Sequence, residues 1–173
     1  MTADRLAAGQ VGANVVVVRA RIAAAAARAG RDPAEVTLVA ATKTVDALRV
    51  AAALDAGVTD VGENRAQELV AKAPMVAALQ RPGDAEPVPI WHFLGALQRN
   101  KVGSVAPWVS CWQSVDRRSL GDAIARHAPG ARVLIEVNLG REAQKPGCPP
   151  EEVGALHQVL ENPAGDHARI LGV

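Results

Sequence analysis

The sequence predicts an α/β protein of the (β/α)8 TIM-barrel type, incomplete at its C-terminus, with about six of the eight strands present. Three observations lead there. Short apolar runs alternate with helical patterns along the whole chain, which is how βα units and a parallel sheet read in sequence. No G-x-G occurs among the 15 glycines, whereas a doubly wound sheet usually carries a Gly-rich phosphate turn after its first strand. The 173 residues hold about six strands and end on one of them with no helix behind it, and a full barrel takes about 250 residues. The whole of 1–173 is expected to be a single domain.

The elements follow in order. Ala3–Gly30 reads as one long helix interrupted by Arg19, Arg21 and Arg28, with Gly30 as its stop. Asp32-Pro33-Ala34-Glu35 has the residues of a capped turn: Asp32 as N-cap, Pro33 at the first position and Glu35 in the first turn. Val36–Thr42 is a short apolar run and is predicted to be a buried strand. Val45–Ala56 is helical in pattern and stops at Gly57; Thr59–Gly62 is a second strand; Ala66–Leu79 is a helix; Arg81–Pro89 is a Pro/Gly-rich loop. Ile90–Leu94, Trp108–Gln113, Ala131–Asn138 and Ala168–Val173 read as the remaining strands. Between them lie helices at Leu97–Ala106, Arg118–His127 and Pro149–Asn162.

Composition narrows the function. Apolar residues make up 49% and charged residues 21%, as in a soluble globular protein. With three Trp, one Phe and no Tyr, the core must be built from Ala, Val, Leu and Ile. The net charge is +1 and no dense Lys/Arg run occurs, so neither a nucleic acid nor an anionic membrane is indicated as a partner. The long apolar stretches are Ala-rich and broken by Arg, unlike a signal or membrane segment, and the expected compartment is the cytoplasm. Cys111 and Cys148 fit no CxxC or metal-ligand spacing and read as reduced thiols.

In a barrel, functional side chains sit where strands end and βα loops begin. Those positions here are Thr42-Lys43-Thr44, Gly62-Glu63-Asn64, His92–Gly95 followed by Gln98, Asn100 and Lys101, Ser114-Val115-Asp116, and Asn138 followed by Glu142 and Lys145. Lys43 stands out. A lysine directly after a buried apolar strand is partly desolvated, which favours the neutral amine, the form that condenses with an aldehyde. The plainer reading is that Lys43 snorkels out of the strand end. Glu63 and Asn64 either meet a ligand or cap the next helix, and Asn is a favoured N-cap. His92 lies inside an apolar strand with no second His or Cys at ligand spacing, which favours a hydrogen-bonded core histidine over a metal ligand. Asp116 reads as a helix start, and Trp108 and Trp112 as packing residues.

Together these strand ends resemble the YggS/PROSC-type pyridoxal phosphate homeostasis proteins, relatives of the barrel domain of alanine racemase. The likeness is carried by Leu38–Thr44 (LVAATKT), Gly62–Glu68 (GENRAQE), Trp91–Lys101 (WHFLGALQRNK), Ser114-Val115-Asp116, and Val137-Asn138-Leu139 with Glu142, Lys145 and Gly147. The resemblance implies that Lys43 holds pyridoxal 5′-phosphate (PLP) as a Schiff base. It also implies that Asn64 lies near the cofactor and that His92 and Asn138 line the barrel mouth. It implies a PLP carrier without a catalytic residue, with PLP-dependent apo-enzymes as recipients, no metal, and a monomer as the family's state. The sequence departs from the family at Asp46, where Pro is expected, and at Pro146, where a small residue is expected. Family members also continue past Ile170–Val173 with two more βα units, bearing a Ser/Gly-rich phosphate loop and an Arg facing the pyridine nitrogen. Two other functions compete: a truncated barrel remnant that binds PLP weakly or not at all, and an amino-acid racemase. The related racemases pair a lysine with a tyrosine, and this chain has no Tyr.

Overall fold

The computed structural model describes residues 3–80, 89–161 and 169–172. Within them lie six strands: β1 pairs with β2 in parallel, and β3, β4, β5 and β6 pair in parallel in sequence order. Helices alternate with the strands along the chain, the (β/α)-barrel pattern predicted from sequence. The chain forms two compact units, Met1–Gly62 with Ala71–Ile90, and Glu63–Val70 with Trp91–Val173.

The first unit opens with α1, Ala3–Arg28, a 26-residue helix. It ends as the sequence predicts. Gly30 takes φ +64°, its N–H reaches Ala27 O, and Arg31 N reaches Ala26 O at 2.9 Å. This is the 6→1 and 5→2 pattern that satisfies the last carbonyls of a helix. Asp32 then accepts from Ala34 N at 2.9 Å and starts the 3-10 turn Pro33–Glu35. By length and composition, Gly9–Arg28 is apolar enough to cross a membrane, with mean hydropathy 1.2, which corrects the expectation that no stretch meets that test. Arg19, Arg21 and Arg28 interrupt this stretch, and α1 lies along α2, Ala47–Asp55. The guanidinium of Arg19 donates to Gly57 O at 2.5 Å, just past the end of α2.

The first strand is shorter and wetter than predicted. β1 covers Val39–Ala41 rather than 36–42, and its residues are half-buried or exposed. The reason is its edge position among the described strands: β2 (Asp60–Glu63) is its only strand neighbour, through Val39↔Asp60, Ala40↔Val61 and Ala41↔Gly62. β2, by contrast, is buried throughout. α2 starts at Asp46, whose carboxylate accepts from Arg49 N at 2.9 Å. The departure from the expected Pro therefore exchanges one helix-start residue for another. α3 covers Ala66–Leu79 as predicted, and its Pro74 stands on the exposed side, where the lost amide bond is cheapest. The predicted loop at 81–89 lies outside the described residues apart from Pro89.

The second unit is built on β3 (Ile90–Phe93, from Trp91 onward), β4 (Val109–Val115), β5 (Arg132–Ile135) and β6 (Arg169–Gly172). Its core gathers the few aromatics. Trp91, Phe93 and Trp112 are almost fully buried, and the Phe93 and Trp112 rings lie 6.4 Å apart at a tilt. α5 (Arg118–His127) buries Leu120, Ala123 and Ile124, at i, i+3 and i+4 spacing. Gly121 of α5 admits Leu160 of α6 (Val153–Glu161): a Cβ there would fall 2.0 Å from Leu160 Cδ2. The predicted helix at 97–106 is reduced to a 3-10 turn, Arg99–Lys101, and a single α-turn, α4 (Val102–Val105). Gly103 is a poor helix former and weakens that segment.

Candidate functional site

Lys43 follows the last residue pair of β1 in a tightly held turn. Thr42 N donates to Gly62 O at 2.8 Å, and Thr42 Oγ1 donates to the same oxygen at 3.1 Å, tying the end of β1 to β2. Thr42 O in turn accepts from Val45 N at 3.0 Å and from the buried Lys72 Nζ at 2.7 Å. Thr44 takes φ +62°, a left-handed conformation that is unusual for a β-branched residue. Lys43 itself is exposed. Among the described residues Lys43 is therefore not withdrawn from water as expected: β2 is the strand neighbour of β1 there, and β1 is itself half-buried to exposed. What the turn offers is a directed amine within reach of solutes.

The other predicted residues belong to the second unit. Asn64 does not cap α3, because the helix begins at Ala66 and the capping slot falls on Arg65. Its Oδ1 is instead buried with no hydrogen-bond partner. Gly95 explains how Asn64 fits. A Cβ on Gly95 would lie 2.5 Å from Asn64 O, 2.8 Å from Asn64 Cβ and 3.0 Å from Asn64 Cα. Gly95 is fixed in turn, since Leu94 N donates to Glu63 O at 2.7 Å and Ser114 Oγ donates to Gly95 O. Glu63 is fully buried.

His92 is buried on β3, with Nδ1 2.7 Å from Gln113 Nε2 on β4, as a hydrogen-bonded core histidine should be. Asp116 pairs with Arg117, whose guanidinium also donates to Leu97 O at 2.7 Å. Asn138 organises the loop after β5. Its Nδ2 donates to Glu142 O at 2.8 Å and Lys145 O at 3.3 Å, and its backbone N–H donates to Cys148 O at 2.9 Å. Gly147, at φ +110°, lies so close that a Cβ would stand 2.6 Å from Asn138 N. The amide of Asn138 is thus committed to its own loop, where Glu142 and Lys145 also pair at 2.6 Å.

The sequence places Gly95 at a strand end without a role, and gives no role to Lys72 or Glu136. Glu136 continues the β5 strand segment, and its Oε2 is buried without a partner. Burial, and then the neighbouring Asp116 carboxylate, raise its carboxyl above the usual range. A carboxylate inside the run ARVLIEVN was the available signal. Cys111 and Cys148 are both buried and share no disulfide, and burial pushes the Cys148 thiol up despite a backbone hydrogen bond that lowers it. Among the described residues, no three His, Cys, Asp or Glu stand together as a metal site.

Comparison with known proteins places these features in a family. The family model for the alanine racemase N-terminal domain matches residues 14–173. The pyridoxal phosphate homeostasis protein of Pseudomonas aeruginosa is 38% identical over 152 residues, covering 86% of this chain and 63% of that protein. A crystal structure of an unknown protein from Bifidobacterium adolescentis superposes with a TM-score of 0.86 at 37% identity, covering 97% of this chain and 70% of the other. PipY of Synechococcus elongatus, solved with PLP bound, gives 0.61 at 29% identity, covering 80% of this chain and 65% of PipY. The chain spans 61–63% of the length of the curated relatives it matches. On the family match and the 38% identity together, this chain belongs to the alanine racemase N-terminal domain family.

Proposed function

We propose that this chain binds PLP through Lys43 and acts in PLP homeostasis as a non-catalytic, cytoplasmic carrier that passes the cofactor to PLP-dependent apo-enzymes. The observation that carries this reading is the exposed Lys43 amine on an anchored turn, within the TKT segment on which the family resemblance rests. PLP supplies an aldehyde. Lys43 Nζ would hold it as a Schiff base, the amine nitrogen joining the aldehyde carbon and the carbonyl oxygen leaving as water, with no change of oxidation state. The residues present fit such a ligand. The resemblance assigns Asn64 to the cofactor as well; within its own unit, Asn64 Oδ1 is a buried acceptor without a donor, beside Gly95. His92 and Asn138 have polar atoms already engaged by Gln113 and by the 142–145 loop, so their part is to keep the β3 and β5 ends in shape.

A carrier also matches what the sequence withholds. A racemase of the related kind needs a tyrosine opposite its lysine, and the chain has none. The experiment is a PLP titration of the full chain and of Lys43→Ala, followed by borohydride trapping and peptide mass mapping. The adduct is expected on the peptide that carries Lys43 and is expected to vanish in the variant. An adduct of equal yield in Lys43→Ala, or none in either protein, refutes the reading. Alanine α-proton exchange with added PLP is expected to stay at the rate of free PLP.

A further inference from the structure

Of the four lysines, Lys43, Lys72, Lys101 and Lys145, only Lys72 is buried. Burying an ammonium is costly unless it meets a good acceptor, and packing alone would be served better by Leu or Met. Lys72 Nζ donates at 2.7 Å to Thr42 O, a bond across 30 residues of sequence. That carbonyl belongs to the peptide unit joining Thr42 to Lys43. The same oxygen accepts from Val45 N, while Thr42 N and Oγ1 are held by Gly62 O.

Thr44 supplies the second observation. At φ +62° it carries backbone strain that a β-branched residue rarely accepts. Strain of this kind persists where the surroundings over-determine the conformation, and it gathers at functional positions. Here the buried ammonium and the strained threonine flank a single residue, Lys43. Resting on the reading of Lys43 as the PLP-attaching amine, the geometry points to Lys72 as a positioning residue. Its ammonium fixes the plane of the Thr42–Lys43 peptide, and with it the direction in which Lys43 leaves the end of β1. Free of that bond, an exposed four-carbon side chain in the turn after a three-residue strand would sample many directions and lose rotamer freedom on capturing the aldehyde.

The test uses PLP and the full chain with Lys72→Met, Lys72→Arg and Lys43→Ala, each checked for folding by circular dichroism and thermal unfolding. In folded Lys72→Met, PLP is expected to bind about tenfold more weakly, the effect of losing one charge-assisted hydrogen bond. Lys72→Arg, which keeps a cationic donor, is expected to restore binding to within about threefold. A purely structural lysine would lower the unfolding temperature and leave PLP binding to the folded protein unchanged, and that result overturns the inference while sparing the role of Lys43. If the unsubstituted chain forms no Lys43-dependent adduct, the functional reading falls and this inference falls with it. Should Lys72→Met not fold, the unsubstituted chain still decides the matter. The Lys72 15Nζ resonance is expected to shift on adding PLP and to stay fixed in Lys43→Ala, and no shift in the former overturns the inference.

Discussion

Gly95→Ala isolates the Asn64 cradle with a single methyl group. The new Cβ would stand 2.5 Å from Asn64 O, 2.8 Å from Asn64 Cβ and 3.0 Å from Asn64 Cα. A carbon and an oxygen in ordinary contact stay more than 3 Å apart, so something must move. Two of the three obstacles are backbone atoms, and Gly95 is tethered through its own carbonyl to Ser114 and through Leu94 N to Glu63 O. Neither side can yield by rotating a side chain. Overpacking of a site costs about 1–3 kcal/mol, and a backbone clash belongs in the upper half of that span. For a chain of 150–250 residues, each kcal/mol lowers the unfolding temperature by about 2–4 °C, so a fall of about 4–12 °C is expected. Gly154→Ala is the internal control: nothing lies within 4 Å of its would-be Cβ, and it sits in α6. There Ala should stabilise by up to about 1 kcal/mol. Differential scanning fluorimetry on both variants reads the two signs side by side. A Gly95→Ala protein that melts within about 1 °C of the unsubstituted chain would refute the cradle argument.

Other perturbations probe separate elements. Asp46→Ala removes the oxygen that accepts from Arg49 N and should cost about 1 kcal/mol in urea unfolding, whereas Asp46→Asn should cost much less. Thr44→Gly relieves the left-handed strain and should raise stability by about 1 kcal/mol; a loss of stability would show that the positive φ is not strained. Glu136 has its carboxyl raised by burial and by Asp116, so the folded state favours its protonated form. Its contribution is complete below the ordinary value of 4.5 and is lost as the pH climbs through the raised value. Glu136→Gln should flatten that part of the stability–pH curve, and unfolding curves of equal pH slope in the two proteins would contradict it.

Much of this was legible in the sequence because it is local. The Gly30 stop, the Asp32 cap and the bounds of α3 and α5 are set by residues a turn apart, and the structure keeps all of them. What escaped depends on partners remote in the chain. Lys72 reaches Thr42 across 30 positions. Gly95 is required by Asn64, which no spacing rule connects to it. Asn64 missed the capping slot by one residue, a shift that changes its amide from a helix cap into a buried orphan acceptor. The burial of β1 is not legible for a related reason: an apolar run announces a strand without saying how many neighbours cover it.

The exposure of Lys43 alters the physical argument for a carrier without weakening it. A catalytic lysine must keep its cofactor through many turnovers, which favours enclosure and exclusion of water. A carrier must let go. The bond between an amine and an aldehyde is undone by water or by a competing amine, and both need access to the same carbon. An exposed side chain gives that access. On this reading Lys72, which holds the peptide before Lys43, governs capture, and release is left to water and competing amines. Lys72→Met, which disorders the amine, should slow capture and leave release by a competing amine unchanged. Stopped-flow mixing with PLP, then with excess hydroxylamine, separates the two rates. Equal slowing of both would show that Lys72 does not act through the direction of the amine.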